Sequence, residues 1–434
     1  MNMKLGLLVC IFWLLVFQAF SQDKVILLDD PETSLKIRVQ MIRESKSTLD
    51  MATFIYGNDE VSTQVLFELV QAAQRGVKIR IIIDGMNNKI PMELMDYLID
   101  HDIRIKIFNP FSVKKLLGNV TRMHSKIMIC DDEKYIIGGR NIVNTYFYIG
   151  NQKNFKDREV YVQGRSGLTA KRSFEDLWFS AVMNEDHGSQ FAHTEKRNIK
   201  IVTDYFSDWD TIPQLRNREM QNILDDNEMH ISKDVRLIWD RPESFKFVNK
   251  NTTNYLVNII NTTKSSIYIE SPYVVFSDTL YQALQSAINR GVKVQIITNS
   301  LSTSDSYLVL ATYYKERDQL IDLGFDIWEY HSENEYLHTK MFVFDEKFVT
   351  IGSYNLDMLS ANINTECLVQ FFDQDIVKES LDYFNSTKAY SKKARVNEYL
   401  PTLFEDQINI ENLKKYSYIK VFQWTISPFI RQYL

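Results

Sequence analysis

Two stretches of the chain share one order of apolar and polar positions. In the first, an apolar run at 47–55 precedes a segment with Val65, Leu66 and Leu69 at helical spacing, and a β-branched run follows at 77–83. The second stretch repeats this order with runs at 265–273 and 292–297 around Leu280, Leu284 and Ile288. Each stretch predicts a strand, an amphipathic helix and a buried strand. An Arg-Gly dipeptide ends each predicted helix, and the two glycines are 291 − 76 = 215 residues apart.

This duplication predicts the fold class and the domain organisation. Strands that alternate with helices indicate α/β layers with mainly parallel sheets. Since an offset of 215 residues is the length of one domain, we predict two duplicated α/β/α sandwich domains. A polar connector at 187–235, with a predicted helix at 212–224, separates them, and we place the domains at 22–205 and 206–434. The aromatic C-terminal segment at 416–434 is predicted to pack on the core, with a membrane surface as the alternative.

The N-terminus has the pattern of an export signal. Lys4 precedes an apolar run at 5–17, and Ala19 and Ser21 have the small side chains of a cleavage site. We therefore expect a signal peptide at 1–21 and an exported protein, either periplasmic, membrane-associated or secreted. An uncleaved anchor is the alternative, although the run is shorter than the roughly 20 residues of a membrane span. A lipid anchor on Cys10 is disfavoured by the bulky Val9 before it.

Composition and charge narrow the class of protein. Hydrophobic residues make up 45% and charged residues 24% of the 434 residues, which indicates a globular chain. The formal net charge of −6 disfavours a nucleic-acid binder, which usually carries a basic excess. Cys130 and Cys367 lie in apolar runs and are predicted to be buried thiols, since no Cys-x-x-Cys pair occurs.

The pattern His-x-Lys-x4-Asp-x6-Gly-(Gly/Ser)-x-Asn occurs twice, at an offset of 338 − 124 = 214 residues. Its members are His124, Lys126, Asp131, Gly139 and Asn141 in the first copy, and His338, Lys340, Asp345, Ser353 and Asn355 in the second. A single histidine or lysine is usually an ordinary surface or core residue. The whole pattern repeated at one offset predicts a catalytic site.

The spacing within the pattern has a physical reason. His and Lys, two residues apart on a strand, project from the same face. The aspartates precede predicted hairpin turns, where we expect them to give structural support, and the return strands bring the Gly and Asn positions back beside His and Lys. There, Ser353 and the two asparagines can donate hydrogen bonds to phosphate oxygens.

A carboxylate downstream of each copy would orient an imidazole through one ring nitrogen. We assign Glu366 to this role in the second copy and Glu159 in the first, where Asp157 is a rival.

The chain resembles the phospholipase D superfamily, and within it the short type of bacterial cardiolipin synthase. The segments that carry the resemblance are 109–111, 122–126, 137–142, 271–273, 337–340 and 351–356. Segments 56–58 and 240–243, and the chain after Asn385, depart from the family pattern.

The resemblance implies two domains about a pseudo-twofold axis, with one active site at their interface. It also implies that His124 is the nucleophile, forming a phosphohistidine, and that His338 is the acid and base. The near symmetry of the two copies leaves the reverse assignment open. Two lysines would offset the phosphate charge, so no metal or other cofactor is expected.

The resemblance implies phospholipid substrates such as phosphatidylglycerol or phosphatidylethanolamine, and peripheral membrane contact. The segment at 109–118 mixes apolar and basic residues and either meets lipid or forms an ordinary surface loop. If an alcohol or a second phospholipid resolves the intermediate, the protein is a phosphatidyltransferase like cardiolipin synthase. If water does, it is a phospholipase D that releases phosphatidic acid. An exported nuclease and a non-catalytic scaffold are the weaker alternatives, and the sequence predicts no oligomeric state.

Overall fold

The structure is a computed structural model that describes residues 22–110, 121–180, 182–184, 229–244 and 247–398. Its first half contains β1 (Asp23–Leu28), α1 (Pro31–Glu44), β2 (Thr48–Thr53), α2 (Glu60–Gln74), β3 (Lys78–Asp84), α3 (Met92–Asp100), β4 (Ile103–Phe108), β5 (Ile127–Cys130), β6 (Lys134–Gly138), β7 (Asn154–Lys156), β8 (Glu159–Gln163), α4 (Gly167–Trp178), β9 (Met183–Asn184) and β10 (His230–Ser232). A 3-10 turn, Asn144–Tyr146, lies between β6 and β7.

The second half contains β11 (Val235–Trp239), β12 (Arg241–Ser244), β13 (Phe247–Asn249), α5 (Asn251–Thr262), β14 (Ser266–Glu270), α6 (Asp278–Asn289), β15 (Lys293–Asn299), α7 (Tyr307–Asp322), β16 (Asp326–Tyr330), β17 (Glu335–Leu337), β18 (Met341–Phe344), β19 (Phe348–Gly352), α8 (Met358–Asn362), β20 (Cys367–Phe371), α9 (Gln374–Ala389) and β21 (Ser391–Lys393).

The two halves have equivalent sheets. The first runs β10-β1-β8-β6-β5-β2-β3-β4-β9 and the second runs β11-β20-β19-β18-β14-β15-β16-β21. Apart from the edge strand β10, each strand of the first sheet has a counterpart at the same place in the second. This equivalence confirms the two duplicated α/β domains. Within these two sheets, parallel pairing is confined to β2-β3-β4 and β14-β15-β16, which are joined by helical crossovers. The other pairs in both sheets are antiparallel. The short turn between β5 and β6 can join only antiparallel strands.

Local sequence explains where the crossover helices begin and end. Asp59 and Ser62 form a reciprocal capping box at the start of α2, and Ser277 caps α6 through the Leu280 amide. Both helices end before glycines with positive φ, Gly76 at 93° and Gly291 at 89°, as the Arg-Gly dipeptides predict.

A central apolar cluster joins the two halves. It contains residues from both sheets, such as Ile129 and Val369, together with Phe174 of α4 and Phe384 of α9. Burying each of these phenylalanines contributes about 1.5–3 kcal/mol. Two further clusters cover the outer sheet faces, one with α1, α2 and α3 and one with α5, α6 and α7. The two sheets therefore share a core at the interface between the halves.

Sheet membership changes between Ser232, which pairs with β1, and Val235, which pairs with β20. The proposed boundary at 205/206 lies outside the described residues, as do the signal segment 1–21, the loop 111–120, the predicted helix 212–224 and the tail 416–434. The boundary thus stays a prediction. Cys130 and Cys367 are buried free thiols, as predicted. Within the described ranges, no helix is both long and apolar enough to span a bilayer.

Candidate active site

His124, the histidine of the first motif, is held against the opposite half of the molecule. The residue before it, Met123, donates its amide proton to Asp84 Oδ2 over 3.0 Å and forms a β-bridge with Thr365. The His124 amide then donates to the Thr365 carbonyl over 3.0 Å. Because Thr365 precedes β20, the first-half motif is anchored to a strand of the second half.

The second histidine repeats this arrangement with the halves exchanged. β17 pairs in parallel with β7 of the first half, and Leu337 lies opposite Lys156. The His338 amide donates to the Lys156 carbonyl over 2.8 Å. Each histidine is therefore placed by backbone hydrogen bonds from the other half, which agrees with the pseudo-twofold relation that the resemblance implies.

The carboxylates that orient the two imidazoles also cross between the halves. His124 Nδ1 lies 3.0 Å from both carboxylate oxygens of Glu366, and His338 Nδ1 lies 2.5 Å from Asp157 Oδ2. All four side chains are buried. A carboxylate on Nδ1 fixes the tautomer and leaves Nε2 available for chemistry. Both carboxylates thus serve the histidine of the opposite copy, where the sequence analysis placed each within its own copy.

The assignment of Glu159 as the orienting carboxylate was wrong. Its carboxylate accepts hydrogen bonds from Arg38, Arg140 and Ser34, on the other side of β8 from the histidines. The strand register gives the reason. Gly138 pairs with Glu159 and the equivalent Gly352 pairs with Leu368, so Asp157 is the counterpart of Glu366. The rival candidate, Asp157, occupies the predicted position.

Gly139 and Ser353 occupy equivalent positions and support the carboxylates differently. A Cβ on Gly139 would lie 2.4 Å from both oxygens of Asp157, so the absence of a side chain makes room for the carboxylate. Ser353 Oγ instead donates a hydrogen bond to Glu366 and accepts one from the Cys367 amide. Both residues position a carboxylate. Ser353 was predicted to donate a hydrogen bond to a phosphate oxygen, but its Oγ donates to Glu366 instead.

The two lysines are buried and lie beside the histidines. Lys126 Nζ donates to the His124 carbonyl over 2.6 Å, Lys340 Nζ donates to the His338 carbonyl, and Lys340 Nζ lies 2.8 Å from His338 Nδ1. Burial lowers the pKa of Lys126 to about 7 and that of Lys340 to about 8, partly opposed by Glu366 and Asp157 respectively. The charge of Lys340 also lowers the pKa of Lys126, and both lysines lower the pKa of His338, which indicates one shared cluster. An anion between them would favour their protonated forms.

The two asparagines are not equally available. Asn141 donates to Tyr146 Oη over 2.8 Å and accepts from the Ile55 amide over 3.0 Å, so its amide is used within the first half. Asn355 is 5% exposed, and its Oδ1 has no hydrogen-bond partner among the described residues. Asn355 is therefore the better candidate of the two for contact with a ligand.

The aspartates of the motif lie at the far end of their strands. Asp131 accepts hydrogen bonds from the amides of Lys46, Ser47 and Thr48, at 2.9, 2.7 and 3.0 Å. Asp345 repeats this with the amides of residues 264–266. These bonds tie each hairpin turn to the start of the neighbouring strand, in keeping with the structural role expected for both residues.

Tyr146 is a residue of the site that the sequence analysis missed. Its hydroxyl lies 3.5 Å from His338 Nε2, and its ring stacks on Phe155 with the centroids 4.5 Å apart. The equivalent position in the second half is Ser360, which donates to Glu366 Oε1 over 2.7 Å. In the sequence, only the position of this tyrosine, five residues after Asn141, pointed to a role in the site. Its partner His338 comes from the opposite half.

Burial and the nearby lysines lower the pKa of His338 to about 3, and burial also lowers the pKa of His124. His338 is thus neutral near pH 7, and burial favours the neutral form of His124, with Nδ1 of each ring facing a carboxylate. A phosphate adds negative charge between the rings and favours protonation of one of them. Among the described residues, the group with metal-ligand spacing is His230, Asp373 and Asp375, which includes no residue of the motif.

Two α/β halves with paired His-Lys motifs at their interface define a phosphodiester-processing enzyme of the phospholipase D superfamily. The family described as cardiolipin synthase, PLD-like domain, matches residues 39–160 and 256–388, which is more than half of the chain. The protein belongs to this family and is a phosphatidyltransferase-type enzyme of phospholipid metabolism.

Individual proteins show the same likeness. Cardiolipin synthase C of Escherichia coli K12 is 28% identical over 394 residues, covering 80% of this chain and 82% of the relative. An uncharacterized protein of Helicobacter pylori is 28% identical over 404 residues, covering 82% and 78% respectively. The crystal structure of a phosphatidylserine synthase from Haemophilus influenzae Rd KW20 matches with a TM-score of 0.67 at 15% identity, over 94% of this chain and 95% of the other. That match supports the fold.

Proposed function

We propose that the protein is a cardiolipin synthase-like phosphatidyltransferase that works through a phosphohistidine on His124. One observation carries the proposal. Two buried imidazoles, each oriented by a carboxylate from the opposite half, share a site with two buried lysines. Such a pair can provide a nucleophile and a general acid for one phosphorus atom.

In the first step, His124 Nε2 attacks the phosphorus of a phospholipid. The P–N bond forms as the bond from phosphorus to the head-group oxygen breaks, and His338 Nε2 gives its proton to that oxygen. Glu366 stabilises the positive charge that develops on the His124 ring. Lys126 and Lys340 offset the charge of the phosphate oxygens, the contribution expected of a preorganised cationic site.

In the second step, an acceptor hydroxyl loses its proton to His338 Nε2 and attacks phosphorus, and the P–N bond breaks. If the hydroxyl belongs to the head group of phosphatidylglycerol, the product is cardiolipin. If it is water, the product is phosphatidic acid. The named relatives, a cardiolipin synthase and a phosphatidylserine synthase, favour an alcohol as acceptor.

The apolar N-terminal run supports a location outside the cytoplasm. We propose that the protein is exported and works at a membrane surface, where its lipid substrates are. Recovery of the chain from a periplasmic fraction, with Edman sequencing starting after Ser21, would agree with cleavage. A chain that keeps residues 1–21 would contradict it.

The function is tested with purified protein and vesicles of phosphatidylglycerol and phosphatidylethanolamine, with lipid products identified by mass spectrometry. The wild type should form cardiolipin, and His124→Ala should abolish it. His101→Ala, a partly buried histidine outside the motif, is the matched control and should keep activity. Cardiolipin formation by His124→Ala would refute the mechanism, and phosphatidic acid as the sole wild-type product would assign hydrolysis instead.

A further inference from the structure

The active site departs from its pseudo-symmetry on the side of His338. There, Asn355 Oδ1 is a buried acceptor with no partner among the described residues, whereas its counterpart Asn141 is used at both ends of the amide. A buried amide oxygen without a donor is unfavourable, because it has lost its hydrogen bonds to water. A ligand group that donates a hydrogen bond would remove that cost.

A carboxylate occurs on the same side and has no counterpart. Asp305 follows β15, and its Oδ1 accepts a hydrogen bond from Tyr273 Oη over 2.9 Å. At the offset of the β3 and β15 strands the equivalent position is 305 − 215 = 90, where the buried Ile90 stands. Asp305 itself is exposed. Among the described residues, the His338 side of the site therefore has a carboxylate at a position where the His124 side has an apolar side chain.

Backbone pairing places these groups together. Val274 forms a β-bridge with Leu356, and the Val275 amide donates to the Leu356 carbonyl over 2.9 Å. The segment with Tyr273 therefore runs beside Asn355, and the Tyr273 side chain reaches Asp305. Asp157 and Asp305 are the two carboxylates that most oppose the effect of burial on the pKa of Lys340, so the charge of Asp305 acts within the site.

The side of the site matters for the reaction. The nucleophile attacks phosphorus from the face opposite the leaving oxygen. The acceptor oxygen then attacks from the face that the leaving oxygen has vacated. If His124 attacks, both alcohols pass the face that His338 lines. Asn355 Oδ1 is a hydrogen-bond acceptor, and an ionised Asp305 can also only accept hydrogen bonds. The two groups therefore do not favour a second phosphate. They favour a group that donates hydrogen bonds.

We propose that Asp305, oriented by Tyr273, and Asn355 Oδ1 form a subsite for the alcohol head group, selecting one with a hydroxyl or ammonium group beside the reacting oxygen. Glycerol and ethanolamine head groups have this shared chemistry, and a simple alcohol does not. This inference rests on the proposed transferase function and names the determinant of its acceptor.

The test is a competition between acceptors. Phosphatidylglycerol vesicles are incubated with wild type or Asp305→Asn in equal concentrations of glycerol-d5 and 1-propanol, and the two transfer products are measured by mass spectrometry. A second arm replaces glycerol-d5 with ethanolamine. We expect Asp305→Asn to lower the preference over 1-propanol by on the order of tenfold, which is the loss of about one hydrogen bond to a charged acceptor. A larger loss with ethanolamine than with glycerol would identify the ammonium as the favoured partner, and the reverse would identify the hydroxyl.

Two further variants make the result specific. Tyr273→Phe frees the Asp305 carboxylate and should shift the preference in the same direction by a smaller factor. Asp322→Asn makes the same charge change at the exposed far end of α7 and should leave the preference unchanged. Transfer to both alcohols with an unaltered ratio in Asp305→Asn would overturn the subsite and leave the transferase function standing. Phosphatidic acid alone from the wild type would overturn both.

Discussion

Gly139→Ala tests the support of His338 without touching a reacting group. The added Cβ would lie 2.4 Å from both oxygens of Asp157, and ordinary contact begins near 3.4 Å. The carboxylate must therefore move by about 3.4 − 2.4 = 1.0 Å. Such a shift would lengthen the 2.5 Å contact with His338 Nδ1 beyond a good hydrogen bond.

The expected loss follows from that displacement. A misplacement of about 1 Å in a catalytic group costs on the order of 10²-fold in rate, and overpacking costs about 1–3 kcal/mol in stability. We predict that kcat for transfer from phosphatidylglycerol falls by roughly 10²-fold. With a phosphatidyl-p-nitrophenol donor the leaving group needs no proton, so the first-turnover release of nitrophenol should fall much less.

The matched control is Gly167→Ala, whose Cβ would lie 2.4 Å from the Asp132 carbonyl oxygen, beside the hairpin turn at the far end of β5. It should lose comparable stability in urea denaturation and keep the kcat of the folded fraction. If Gly139→Ala kept kcat within twofold of wild type, or if both donors lost activity equally, Gly139 would not support His338 through Asp157.

Three other variants test the roles of Tyr146, Glu159 and Asp131. Tyr146→Phe removes a hydroxyl that favours neutral His338, so the pKa of that imidazole should rise. Because His338 must be protonated to act as the acid of the first step, the alkaline limb of the kcat/KM profile should move to higher pH. Glu159→Gln leaves two buried arginines without their carboxylate and should lower the free energy of unfolding by about 3–5 kcal/mol without moving that profile. Asp131→Asn should cost about 1–2 kcal/mol at neutral pH in urea denaturation. Because the folded pKa of Asp131 is lowered, its contribution is present above the ordinary carboxyl pKa and is lost as the pH falls through the folded value.

The repeat made much of this site predictable. One motif at one offset fixes two equivalent strands, and pairing the halves brings both His-Lys ends to one interface. The choice between Asp157 and Glu159 was not predictable, because it depends on the register of β8 against β6, which the first copy's extra residues obscure. A shift of two residues moves the carboxylate from one buried network to another.

Contacts between the halves were the other missing information. Tyr146, Glu366 and Asp157 act on histidines about 180 to 240 positions away, and no local pattern encodes such pairs. The antiparallel return strands were predicted as hairpins, yet their effect on the sheets as a whole was not. The crossover helices predicted the parallel strands at the centre of each sheet, whereas the antiparallel pairs between strands far apart in the chain were not predictable from local sequence.

In the proposed mechanism, His124 becomes covalently bound to the phosphatidyl group. The direct measurement uses His338→Ala and a phosphatidyl-p-nitrophenol donor, since this variant can still form the intermediate but lacks the base that activates the acceptor. Nitrophenol release should reach about one per enzyme and stop, and mass spectrometry after an alkaline quench should locate the adduct on His124. Continuous turnover without an adduct, or an adduct on another residue, would contradict the account.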